Sequence, residues 1–215
     1  MKTIDFDSPF MQFLSRCSDL IILNVLWFLC CLPVVTAGAA TTALYRCMLN
    51  MYSEDAPSGA KHFFHAFKRN FKQATILFFI QCFGFILLGV DIWCCLYNSG
   101  EISFVIRIVS LVSAILVLGV GFYLYPLQAQ FDNSIKRTLC NAVYLTFSHF
   151  PVTLLALAID AIPIILLLTN LEFFLRTSLF WIVGGVSLMV FINTFFLKRV
   201  FDRYINSEQT SKNDA

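Results

Sequence analysis

The chain has 215 residues, 59% of them hydrophobic and only 13% charged, and its mean hydropathy is +0.77. Soluble domains carry about a quarter charged residues, so a water-soluble globule is excluded and lipid is the expected solvent. The net charge of +2 comes from basic residues split over short segments beside apolar runs, which suits lipid headgroups and argues against nucleic acid as a partner.

The first expected span covers 18–35. It ends at Pro33, which lacks an N–H and clashes with the preceding turn of a helix. The run of small residues that follows includes Thr36, Gly38, Thr41 and Thr42, the residue types that let backbones approach closely in membranes. Pro33, Thr36, Gly38, Thr41 and Thr42 therefore read as a hairpin motif, with 37–52 as its weaker second arm. Whether that arm crosses fully or is re-entrant stays open. Ala37-Gly38-Ala39 also resembles a signal cleavage site. Asp5, Asp7 and Asp19 in the leader, a long apolar region and the spans that follow argue against cleavage.

Residues 61–72, KHFFHAFKRNFK, place Phe63, Phe64, Phe67 and Phe71 within an arc of about 100° on a helix. Lys61, Lys68, Arg69 and Lys72 fall on the opposite side. That is the pattern of a helix lying in the headgroup layer, rings down and cations out. It serves as an anchor, or as a docking face for a partner.

Further spans are expected at 74–97, 102–131, 139–168 and 173–197, joined by short loops. The fold class is thus all-α: one transmembrane helical bundle over 1–204, with a polar tail at 205–215. With the N-terminus inside and all six segments returning, every Lys and Arg except Arg107 and Arg176 falls on the inner side. This obeys the rule that cytoplasmic loops collect basic residues, so both termini are expected in the cytoplasm.

Ionisable residues inside spans are rare and cost roughly 2.5–3.5 kcal/mol each at a helix centre. Asp91, Arg107, Asp160 and Arg176 form a candidate intramembrane polar cluster toward the outer leaflet. Asp91 and Arg107 should lie at similar depth, about 8–9 Å from their helix ends at 1.5 Å per residue. An Asp91–Arg107 pair, and a pair of Asp160 with Arg176 or Arg107, are expected either as structural pairs or as the wall of a polar outer cavity. Asn24, Gln81, His149 and Asn193 read as interhelical hydrogen-bonding groups. His149 beside Pro151 also leaves room for a proton relay. Pro151 and Pro163 should kink one helix twice. The fourth expected span is too long for the membrane, and its inner end, with Tyr123, Tyr125 and Pro126, should project past the aromatic belt toward the cytoplasm.

The eight cysteines form no C-x-x-C pair and complete no zinc pattern with the histidines. They read as small apolar residues, although Cys30–Cys31 and Cys94–Cys95 would meet near the outer surface. No P-loop, H-E-x-x-H or G-x-S-x-G sequence is present. No catalytic, cofactor-binding or metal-binding residue is assigned, and the expectation is a non-enzyme.

LPVVTAGAATTALY (32–45) followed by FFHAFKRNFKQA (63–74) resembles the YesL family of small bacterial membrane proteins. The resemblance continues through YPLQAQFDNSIKRTLCNA (125–142), HFPVTL (149–154) and LKRVFDRY (197–204). Members of that family are often encoded beside carbohydrate ABC transporters in Gram-positive bacteria, and no catalytic residue comes with the resemblance. It implies a multi-pass protein of the bacterial cytoplasmic membrane that serves as an accessory or assembly subunit, with permease subunits as partners. A stand-alone carrier or channel using the buried charges is the alternative.

Overall fold

A computed structural model describes residues 9–52, 59–97 and 102–213. Within them the chain is helical: α1 (Pro9–Cys31), α2 (Ala37–Met51), α3 (Ala60–Tyr97), α4 (Ile102–Gln130), α5 (Ile135–Ser148), α6 (Phe150–Thr169), α7 (Leu171–Arg176), α8 (Ser178–Phe180) and α9 (Val186–Asn213). A 3-10 turn, Val34–Thr36, links α1 to α2, and a π-helical turn, Trp181–Gly185, leads into α9. Five helices are long and apolar enough to cross a membrane. The protein is therefore a multi-pass, all-α membrane bundle. Successive long helices alternate in direction, which puts Arg46, Lys61, Arg69, Lys136 and Lys198 at one end, here the basic end.

The hairpin at Pro33 is present. Pro33 is extended (φ −78°, ψ 106°) and the helix stops before it. The Thr36 hydroxyl lies 2.5 Å from the Cys30 carbonyl and 2.6 Å from that of Pro33, and the Thr36 N–H also donates to the Pro33 carbonyl at 2.9 Å. The returning arm, α2, has 15 residues, about 22 Å of helix, and falls short of a hydrocarbon core of about 30 Å. It packs against α1, α3, α4 and α9 and is the most enclosed helix of the bundle. Gly38, Ala39, Ala40, Thr42, Ala43 and Leu44 are all buried. Lipid tails are as apolar as these side chains, so close packing holds α2 in place, not exclusion of water. A Cβ at Gly38 would stand 2.5 Å from the Ala74 carbonyl oxygen and 2.8 Å from Phe78 Cβ. Glycine is what lets α2 and α3 touch there.

Three expectations need correction. The 61–72 segment and the 74–97 span are one continuous helix of 38 residues, about 57 Å long. Neither Pro nor Gly falls between 61 and 83, so nothing turns the amphipathic part flat along the membrane. It prolongs the span beyond the bilayer instead. Its aromatic face is also divided: Phe63 is fully buried, Phe67 packs partly against the core, and Phe64 and Phe71 are exposed. Second, 139–168 is broken at His149 (φ −120°, ψ 42°). Pro151 has no N–H to reach the Phe147 carbonyl, and the buried Thr153 hydroxyl fills the break, 3.1 Å from the His149 carbonyl and 3.3 Å from that of Thr146. Third, 173–197 is divided into α7, α8, the π turn and α9, and α9 runs through the expected polar tail to Asn213. Pro126 and Pro163 lie inside α4 and α6.

Asn24 on α1 explains how the π turn is tolerated. Its Nδ2 donates to the carbonyls of Trp181 (3.1 Å) and Ile182 (2.7 Å), and its Oδ1 accepts from the Ser187 N–H at 2.8 Å. A π turn displaces the normal helical ladder, and this one buried side chain meets three of the groups involved.

Candidate functional site

Three segments converge at the basic end. α2 brings Arg46 and Asn50, the first turns of α3 bring His62, His65, Arg69 and Asn70, and the end of α4 with the following residues brings Gln128, Ala129 and Asp132. Gly59, at φ +107°, sets the direction in which α3 begins; its carbonyl accepts from the Phe63 N–H at 3.1 Å. Side chains there fall into two layers. The lower is a buried amide lattice: Gln128 Nε2 donates to Gln73 Oε1 at 2.6 Å and reaches Asn70 Oδ1 at 3.5 Å, and Gln128 Oε1 accepts from the Thr138 hydroxyl at 3.3 Å. Gln128, Thr138 and Asn70 are buried. The upper layer is charged. Arg69 pairs with Asp132, and Arg46 Nη1 donates to the Ala129 carbonyl at 2.9 Å. A recess of about 150 Å³ opens between them.

Tyr52 clasps the same end to α9. Its ring stacks on Phe191 at 4.8 Å, its hydroxyl donates to the Phe191 carbonyl at 3.1 Å, and Lys198 Nζ donates to its carbonyl at 2.8 Å. Burial pushes the Tyr52 hydroxyl pKa up, against a smaller opposing pull from Arg16.

On the outside of α3, Phe64, Lys68, Phe71 and Lys72 are exposed. At about 100° per residue they form one stripe. The expected anchoring or docking face thus loses Phe63 and half of Phe67 to the core, keeps Phe64 and Phe71, and mixes them with the cations.

The four residues of the expected intramembrane cluster are not brought together. Asp91 accepts from the Ser113 hydroxyl of α4 at 2.7 Å, Asp160 accepts from Asn193 Nδ2 of α9 at 2.8 Å, and Arg176 binds Glu172 one turn away at 2.5 Å on an exposed surface. Arg107 is exposed. No Asp91–Arg107, Asp160–Arg176 or Asp160–Arg107 pair occurs among the described residues; a neutral hydroxyl and a neutral amide supply hydrogen bonds to the two aspartates instead. Asp160 also lies further inward than the outer leaflet reading placed it. It lines a cavity of about 240 Å³ with Thr41, Tyr45, Gln81, Gly121 and Tyr125. There Tyr125 donates to Gln81 Oε1 at 2.5 Å, and Thr41 accepts from Trp27 Nε1 at 3.2 Å. Thr42 turns inward and donates to the Gly38 carbonyl at 2.9 Å.

Cys30 and Cys31 carry free thiols, and the Cys95 side chain lies outside the described residues. No group of three metal-ligating side chains is found among the described residues.

Helical spans enclosing a short central helix, with a polar lattice at one end, define the class: a small polytopic membrane protein. Residues 20–92, about a third of the chain, match the model of a family described as a protein of unknown function, DUF624. The match covers the second half of α1, all of α2 and nearly all of α3, the hairpin and the helix packed upon it. No curated protein and no solved structure matches the chain.

Proposed function

We propose that this is a non-catalytic subunit of the bacterial cytoplasmic membrane that assists or assembles a carbohydrate ABC transporter, with its basic end in the cytoplasm. The observation that carries the reading is the exposed stripe of α3. Phe64 and Phe71 sit 43% and 39% exposed on a helix that continues past the membrane, interleaved with Lys68 and Lys72. Aromatic rings beside cations on a rigid rod suit a protein partner. The resemblance to the YesL family supplies the kind of partner, a permease subunit. The lattice of Gln128, Asn70, Gln73 and Thr138 would hold the rod at a fixed angle.

Photo-crosslinking in native membranes tests this. A benzophenone side chain at position 64 or 71 should yield adducts with permease subunits, and one at position 63 should not. A chain that gives no such adducts at either exposed position, and purifies alone, defeats the proposal.

A stand-alone carrier is the second reading, favoured by the cavity at Asp160. It requires that Asp160→Asn abolish uptake by the purified chain in liposomes while the fold is kept. Liposomes of the unaltered chain that take up no sugar leave the first reading standing.

A further inference from the structure

We propose that the recess between α2 and α3 at the basic end binds a phosphate group. The lining contains Arg46, His62, His65, Arg69, Asn70 and Asp132, so four side chains able to carry positive charge face one carboxylate. That carboxylate is already held by Arg69. Arg46 is half-buried and spends one N–H on the Ala129 carbonyl. A guanidinium has five N–H donors in a planar fork, a shape that meets phosphate oxygens two at a time.

His62 and His65 stand one turn apart on α3, with ring centroids 6.5 Å from each other. Each neutral imidazole offers one N–H whichever tautomer it holds. Asn70, only 7% exposed, lines the same space; one of its two amide N–H groups is given to the Ala66 carbonyl at 3.1 Å, which leaves the other. Donors therefore approach from two helices. A planar carboxylate ligand holds its acceptor sites in one plane, which a single guanidinium fork matches. A tetrahedral phosphate has oxygens enough for Arg46 and both imidazoles together. Lys198 lies in the neighbouring recess, which shares Arg46, and adds to the positive potential, while Asp202 in that recess subtracts from it. Held charges around a concave site raise the local concentration of anions. A lipid headgroup and a soluble phosphorylated molecule present the same chemistry here, because the recess opens where the helices leave the membrane.

The test uses the full chain in a maltoside detergent, which contains no phosphate, titrated with inorganic phosphate at constant ionic strength and followed by thermal unfolding. A saturable rise in Tm is expected. Arg46→Gln should weaken binding at least tenfold. Because that change also removes the tie to Ala129, the double variant His62→Ala/His65→Ala serves where it does not fold; it should weaken binding at least threefold. Asp132→Asn should tighten binding about threefold, since it frees Arg69 and deletes the repelling carboxylate. Addition of phosphatidylglycerol to the micelles separates the sources: displacement of inorganic phosphate assigns the site to a lipid headgroup, and no displacement assigns it to a soluble phosphate. Absence of a saturable shift with either ligand overturns the proposal, as does weaker binding by Asp132→Asn.

Discussion

Gly38 and Asn24 show how much single residues decide in a solvent where apolar burial contributes little between helices. At Gly38 the constraint is distance. Gly38→Ala places a methyl against the Ala74 carbonyl and Phe78, both on the helix backbone or its first side-chain atom, so the helices must separate. Overpacking of this kind costs about 1–3 kcal/mol, and thermal unfolding in detergent should show a fall in Tm of several degrees. The same substitution at Gly89, where a Cβ meets nothing within 4 Å, should leave Tm within error or raise it. At Asn24 the constraint is polar. Asn24→Leu keeps the volume but leaves the groups around the π turn with one partner fewer each. Buried unmet donors or acceptors cost about 1–3 kcal/mol. The loss should appear as faster hydrogen exchange at 181–187, and exchange no faster there than in the unaltered chain would refute the role given to Asn24.

At the scale of the element, the division of the aromatic face of α3 turns one amphipathic segment into two surfaces. Phe63 and Phe64 differ by one position and by everything else: Phe63 is 0% exposed and Phe64 is 43% exposed. Phe63→Asp should therefore unfold the bundle, because a carboxylate in that core has no partner. Phe64→Asp should leave Tm nearly unchanged and act only on binding, which far-UV circular dichroism with permease copurification can separate. The helical period was legible in the sequence here, since the arc of rings is real. What the period could not say is how far the arc is turned, because that depends on α2, a neighbour set by the Pro33 break. The breaks at His149 and within 178–185 were harder still. Pro151 announced the first. The second has no proline; it depends on Asn24, 157 positions away, and long-range partners leave no local pattern.

At the scale of the whole molecule, the fold class and the hairpin followed from composition and from Pro33, because both obey the bilayer's demand for internally bonded backbone. The charged cluster did not, because depth along a helix says nothing about which side of the helix faces which neighbour. Asp91 and Asp160 found Ser113 and Asn193, neutral donors whose burial is cheaper than that of a guanidinium. The opposite is true of the basic end, where the charges stay near water and the basic-residue count remains a guide to orientation. Apart from Arg107 and Arg176, the Lys and Arg of the described residues sit on the side where α2 ends and α3 begins. By the rule for cytoplasmic loops we propose that side as the inner one; the even number of returns puts the N-terminal end of α1 and the C-terminal end of α9 at that same end. Exposed Lys68 and Lys136 can report it. In a variant with its native cysteines replaced, Lys68→Cys and Lys136→Cys should react with an impermeant maleimide only after the cells are opened. A cysteine in place of Glu172, exposed at the other end, should react in sealed cells. Labelling of position 68 in sealed cells would invert the molecule, and with it the side from which a partner could reach the stripe of α3.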